Sequence, residues 1–341
     1  MNKVLDYFKN LLEDKPFEKE ITVYGWTKNY QYNLISSVLP YLFQDLEIKE
    51  NIAPESNENR DGRLRDKKYI VIHDTGDVPE YKDAHYWSEV VRTQTNDGNK
   101  YAASFQYVVG SDGIYHNIPD NEIAYHAGDS TYFDYALYDT KIPVSNKKDI
   151  SIQNGYYYIN GINTNILAPV VEDKVLTKDD INDYGILCIE KDGTYHIGET
   201  YFNTTYKKIA NRGGNNNGIG MEVCINEGSD IYLNWQLSAK LTAYLLDKNN
   251  LKIDDIKPHH YFSGKNCPMT LRENKLWNHF MKMVEVEKQV LSYIKEGYEI
   301  KLLPLSNNIL DNGRITDLSK PVNFKIVTSF NNVVEEYEYR T

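Results

Sequence analysis

Cysteine is nearly missing from this chain. Cys188, Cys224 and Cys267 are the only three in 341 residues. An odd, sparse set does not make a disulfide framework. It fits a reducing compartment, or a thiol that serves a metal. A positive charge excess is missing too: 38 Lys and Arg against 49 Asp and Glu leave a formal net charge of -11. A nucleic-acid binder needs a basic face to meet phosphates, so the balance argues against that class. A neutral or carbohydrate-rich polymer stays open as a partner. No apolar run is long enough to span a membrane. The opening residues, "MNKVLDYFKNLLEDKPFEKE", mix acids and bases through their apolar positions and lack the unbroken apolar core of a signal peptide. Work outside the cytoplasm would then need release by lysis, another export route, or a leader that lies outside this sequence. Phenylalanine is scarce beside tyrosine, 10 against 29. Tyrosine offers flat faces with a hydroxyl handle, suited to sugars or to partly exposed sheet surfaces, but a low-GC coding bias enriches tyrosine, asparagine and lysine in the same way and carries more weight. At 41% hydrophobic residues the chain can bury a sizeable core.

The chain divides by texture. Residues 1–66 read as an N-terminal helical segment and linker. Val4, Leu5, Phe8, Leu11 and Leu12 fall on one helical face. A second apolar run, "YNLISSVLPYLF", is broken by Pro40, and "ENIAPESNENRDGRLRDKK" is polar and turn-rich. Residues 67–296 alternate strand and helix patterns. "YIVIHD" (69–74) and "GIGMEVCIN" (218–226) read as buried strands, and "NWQLSAKLTAYLLDKNN" (234–250) as a helix. This pattern predicts an α/β fold: a central mixed β-sheet flanked by helices. Within it, residues 130–212 form an enlarged, β-rich insertion with Asn-Gly and Asp-Gly hairpin turns. Residues 297–341 alternate apolar and polar positions and predict a small β module, a short immunoglobulin-like sandwich.

Candidate chemistry gathers at a few positions. His73 ends a predicted buried strand, where sheet proteins commonly place site residues. His126 sits in a tight Ala-Gly turn, "IAYHAGD". The stretch "KPHHYFSGKNCPMT" (257–270) holds His259, His260, Lys265 and Cys267. Zinc takes imidazole nitrogen and thiolate, and a catalytic zinc site uses three protein ligands with one open position. Glu222 is a carboxylate inside an apolar strand. Alternation puts Met221, Val223 and Ile225 on one face and Glu222 and Cys224 on the other. A charge there is costly unless paired or functional. Singly, each residue has a plain reading: a core histidine, a buried thiol, a salt-bridge carboxylate, a solvated lysine.

Together, "IVIHDTGD", "IAYHAGD", "GIGMEVCIN" and "HHYFSGKNCP" resemble, in order, the four motifs of the zinc-dependent N-acetylmuramoyl-L-alanine amidases. That is the type 2 amidase family, related in fold to the peptidoglycan recognition proteins. The resemblance spans roughly 68–296. It implies one Zn2+ ion, bacterial peptidoglycan as the partner, and hydrolysis of the amide joining N-acetylmuramic acid to L-alanine of the stem peptide. It implies His73, His259 and Cys267 as metal ligands, because the family pairs a first-strand histidine with one eight residues before the cysteine. Glu222 matches the family glutamate that moves the proton, and Lys265 the lysine that holds the oxyanion. His126 then flanks the substrate groove, and His260 points away from the metal. A tyrosine that assists catalysis in some relatives aligns with Phe105. Tyr125 stands where tryptophan is more usual. The resemblance fits an endolysin or an autolysin acting at the cell wall. Alternative readings are a peptidoglycan-binding module without catalysis and a virion-associated wall-entry component; binding-only relatives typically lack the cysteine.

Overall fold

The computed structural model describes residues 2–13, 15–36, 39, 42–96, 99–100, 103–127, 137–146, 149–168, 170–171, 174–175, 188–198, 214–263 and 265–341. Helix α1 spans Lys3–Leu11. Strands β1 (Phe17–Tyr24) and β2 (Asn29–Ser36) form an antiparallel hairpin, and β3 spans Ile48–Glu50. Then come β4 (Tyr69–Asp74), α2 (Ala84–Thr93), β5 (Tyr107–Gly110) and β6 (Gly113–His116). The insertion contributes β7 (Leu137–Pro143), β8 (Ile150–Gln153), β9 (Tyr156–Ile159), β10 (Ile162–Leu167), β11 (Cys188–Lys191) and β12 (Thr194–Gly198). The chain continues through β13 (Gly218–Val223), α3 (Ile231–Lys248), β14 (Ile256–Pro258), α4 (Met269–Glu273) and α5 (Trp277–Lys295). It ends with β15 (Glu299–Pro304), β16 (Asn323–Phe330) and β17 (Val333–Arg340).

The central sheet has six strands in the order β14-β4-β13-β5-β6-β3. Strands β14, β4, β13 and β5 run parallel, β6 turns back antiparallel to β5, and β3 runs parallel to β6. Alternation then assigns side chains to two faces. Ile70, Ile72, Tyr107, Val109, Ile219, Met221 and Val223 meet Trp235, Leu241 and Leu245 of α3 in the main core. Val108 and Cys224, on the other face, pack with Trp87, Val90 and Val91 of α2 and with Phe105. The sheet is therefore covered on both faces, which is why its central strands read as nearly continuous apolar runs.

The N-terminal region departs from the sequence reading. Among the described residues of 1–66 only Lys3–Leu11 is helical; residues 17–36 form a hairpin whose Ile21 and Val23 enter the main core. The polar tract after it is no free linker. Its strand β3 closes the sheet edge, Ala53 is fully buried, and Arg60 makes a two-pronged bond to Glu122 at 2.7 and 2.8 Å. Polar composition here marks a strap that satisfies its backbone on the domain: Ala53 N–H donates to Asn117 and Arg65 N–H to Asn121.

The expected C-terminal sandwich is also corrected. Residues 297–341 contain one three-stranded antiparallel sheet, β15-β16-β17. Its second layer is helical: Val4, Leu5 and Phe8 of α1 and Val286 and Val290 of α5 share a core with Leu302, Phe324 and Ile326. Asn2 ties the two ends together. Its Oδ1 caps α1 by accepting from Leu5 N–H at 2.9 Å, while its Nδ2 donates to Thr328 Oγ1 at 2.7 Å. Phe8 is fully buried in that shared core. Phe8→Ala should therefore cost about 3–5 kcal/mol, read as faster amide exchange across 323–330. Unchanged exchange there would mean that α1 does not support the sheet.

The insertion is β-rich, as its turn residues imply. Asn154-Gly155, Asn160-Gly161 and Asp192-Gly193 all have paired positive φ angles and join β8 to β9, β9 to β10 and β11 to β12. Ile152, Tyr157, Ile159, Tyr195 and Ile197 form a core of their own. Residues 128–136, 176–187 and 199–213 lie outside the described residues, so the end of the "HAGD" turn does too.

Candidate active site

The site forms at the carboxyl ends of the parallel strands, where adjacent connections diverge. His73 is the fifth residue of β4, and Glu222 lies directly beside it in the register of β13. The pairing gives 3.6 Å between His73 Nδ1 and Glu222 Oε1. His259 follows β14 immediately, with its N–H donating to Ile72 of β4 at 3.2 Å. The chain then doubles back: His260 N–H donates to the Cys267 carbonyl at 3.0 Å, and Cys267 N–H to that of Lys265 at 2.8 Å. This loop carries Cys267 Sγ to 3.8 Å from His73 Nδ1. Asp74 anchors the loop from β4, accepting from Thr270 N–H at 2.6 Å.

His73, His259 and Cys267 are all buried, and one ligand atom from each lies within 4.8 Å of the others. The rings of His73 and His259 are 4.7 Å apart. Their chemistry suits a cation. Burial holds the His73 imidazole well below its ordinary range and lowers His259 to about 3, so both stay neutral, the ligand form. Burial also pushes the Cys267 thiol up. A thiolate there requires a positive charge beside it. His259 Nδ1 is buried and has no hydrogen-bond partner among the described residues. A buried imidazole with such a nitrogen, beside two other ligand-type side chains, fits a metal bond better than a packing role. His260 lies outside this trio, with its Nδ1 3.1 Å from the Lys265 carbonyl oxygen.

Glu222 is mostly buried, with 15% of its side chain exposed. Burial lifts its carboxyl to about 8, an effect that Lys265 opposes and Asp74 reinforces. Its Oε2 has no hydrogen-bond partner among the described residues. Lys265 is exposed, with its ammonium 5.8 Å from the centre of the Trp26 ring.

His126 approaches His73 from the ring's other nitrogen: its Nδ1 lies 3.0 Å from His73 Nε2. Burial keeps this imidazole well below its ordinary range as well. Asn215 Oδ1 sets the turn by accepting from the N–H groups of His126 and Ala127, at 2.8 and 2.6 Å. The ring lies flat on β13 at Gly220, where a Cβ would stand 2.6 Å from Cγ and Cδ2. Only glycine permits that approach. His126, expected to flank the substrate groove, thus makes a direct contact with His73. Sequence reading also missed Asp74 and Asn215. The "HD" pair ending β4 was the available signal for Asp74; nothing local marks Asn215.

A mixed sheet with a buried His-His-Cys trio and an adjoining carboxylate offers the residue types that metal-assisted hydrolysis uses. Residues 63–270, more than half of the chain, match the N-acetylmuramoyl-L-alanine amidase family, and the chain belongs to it. It is 22% identical over 234 residues to N-acetylmuramoyl-L-alanine amidase CwlH of Bacillus subtilis (strain 168), covering 69% of this chain and 59% of CwlH. It is 30% identical over 104 residues to the amidase XlyA of the same organism, covering 30% of this chain and 31% of XlyA. The chain thus spans less than two thirds of either relative's length. Among solved structures, the catalytic domain of XlyA aligns with 70% of this chain and 99% of its own, at 18% identity and a TM-score of 0.42.

Proposed function

We propose that this protein hydrolyses the amide between N-acetylmuramic acid and the L-alanine of the peptidoglycan stem peptide, as a zinc enzyme. The observation that carries the reading is the buried trio with Glu222 at 3.6 Å from one of its members, inside the segment that matches the family. His73, His259 and Cys267 would hold the ion. Bound there, zinc supplies Lewis acidity toward water and the scissile carbonyl. Glu222 takes a proton from the attacking water on a carboxylate oxygen. The carboxyl, 3.6 Å from His73, holds that proton while the carbon–oxygen bond forms. It then delivers the proton to the alanine nitrogen as the carbon–nitrogen bond breaks. Lys265 stabilises the negative charge gathering on the carbonyl oxygen. His126 holds the far nitrogen of His73 and fixes its ring.

Residues 67–296 carry this chemistry in the proposal, and the insertion at 130–212 enlarges the surface available to substrate. Phe105, at the position of a helper tyrosine in some relatives, is buried against α2 and offers no proton. The proton work therefore rests on Glu222. Digesting purified cell walls with zinc-loaded protein and analysing the soluble products by mass spectrometry tests the reading. The expected products are stem peptides with a free alanine amino group, alongside glycan strands with intact lactyl groups. Walls that yield no new amino-terminal alanine would defeat the proposal and favour a binding role.

A further inference from the structure

The β1–β2 hairpin lies outside the segment that matches the family, yet it sits on the loops that shape the site. Three sets of contacts hold it there. Asn274, just after α4, accepts from Thr22 N–H at 3.0 Å and donates to the Thr22 carbonyl at 2.7 Å. Tyr30 Oη donates to the Ile225 carbonyl at 2.9 Å, and Lys28 pairs with Glu227, both in the loop after β13. At the tip, Trp26 N–H donates to the Gly76 carbonyl in the loop after β4.

The tip residue is the unusual one. The main core takes in Trp235 and partly buries Trp277, but Trp26 is 70% exposed. Its backbone is nonetheless tied to the loop after β4 through the Gly76 carbonyl. The Nε1 edge of the indole rests on Gly76, where a Cβ would stand 2.6 Å from Nε1, and Gly76 has φ +75°. The left-handed φ favours glycine at that position. Gly76 follows the ligand candidate His73 by three residues, and the ammonium of Lys265 lies 5.8 Å from the indole centre. A large aromatic face is thus held open to solvent beside the lysine assigned to the scissile carbonyl.

We propose that Trp26 is a sugar-binding residue of the site, stacking on the pyranose ring of N-acetylmuramic acid while Lys265 holds the adjacent carbonyl oxygen. This rests on the amidase reading for the identity of the sugar. The chemistry favours the sugar over the peptide. A pyranose presents a face of C–H groups that matches an indole surface, and in this substrate only a lactyl group separates it from the scissile amide. The stem peptide beyond the amide begins with small and acidic residues, which gain little from an aromatic face. The N-terminal hairpin would then act as a specificity element added to the family core.

The test uses the full chain carrying Glu222→Gln, so that ligand survives titration, with and without Trp26→Ala. Two probes are titrated by ligand-observed NMR: N-acetylmuramoyl-L-alanyl-D-isoglutamine, and the lactoyl-dipeptide that lacks only the sugar. Removing the indole should weaken the muramoyl probe by about three- to tenfold and the lactoyl probe by less than about twofold. Trp26→Phe should recover most of the difference. Equal losses on both probes, no loss on either, or no binding of the muramoyl probe to the parent would overturn the proposal. Hydrolysis of the muramoyl probe by the wild-type chain is scored separately. A sugar-dependent loss without hydrolysis would keep the subsite and sink the amidase reading, and hydrolysis indifferent to Trp26 would do the reverse.

Discussion

Glu222→Gln should keep one zinc per chain and lose about 10²- to 10⁴-fold of its turnover on cell walls, the range associated with a positioned general acid–base. The amide is close in size to the carboxylate, so the neighbouring His73 and β13 pairing should survive the exchange. What disappears is the site that accepts a proton from water and returns it to the leaving nitrogen. Burial, reinforced by Asp74 and opposed by Lys265, lifts the Glu222 carboxyl to about 8, while a cation among His73, His259 and Cys267 would draw the value down. A carboxyl pulled both ways can accept and release a proton near neutral pH. The alternative carriers are poorly placed. Phe105 has no proton to give, and Asp74 is engaged with Thr270. Turnover is measured as amino-terminal alanine released per unit time, and zinc by metal analysis of the same sample. Activity within about threefold of wild type would remove Glu222 from the base role.

Much of the site was legible in the sequence because its parts sit in short, self-contained signals. The alternation of "GIGMEV" assigns Glu222 and Met221 to opposite faces without any tertiary knowledge, and the sheet has them so. Asn-Gly and Asp-Gly pairs announce the hairpins of the insertion through their own φ requirements. The register that sets Glu222 beside His73 was not legible. It depends on strand order, and β4 and β13 are separated by more than a hundred residues in sequence. The hairpin at 17–36 was hidden for a related reason. Its inward positions Phe17, Lys19, Ile21 and Val23 alternate but are not uniformly apolar, so the period-2 signal is weak. Its partners are distant in sequence, among them Asn274, 252 residues from Thr22. The C-terminal sheet misled in the opposite sense. Alternation showed correctly that one face is buried, but no local pattern says whether strands or helices cover it, and here α1 and α5 do.

Replacing His259 or Cys267 with alanine should abolish stoichiometric zinc, whereas His126→Ala should retain it with weaker affinity. The distinction follows from geometry. His259 and Cys267 each bring an atom within 4.8 Å of the other and of His73, so losing either leaves two protein donors, too few for a stable site. His126 instead touches the opposite nitrogen of His73, at 3.0 Å. Groups that orient a ligand from behind typically contribute about 10- to 100-fold in metal affinity, not the metal bond itself. Chelator competition on the three variants, with zinc counted per chain, separates these effects. One zinc retained at full affinity by His259→Ala would break the proposed ligand set, and complete loss in His126→Ala would move that histidine into it. The substitution also reports on Gly220, since the ring that excludes a side chain there would be gone. Gly220→Ala should therefore be better tolerated in the His126→Ala chain than in wild type, a coupling that additive, independent sites would not show.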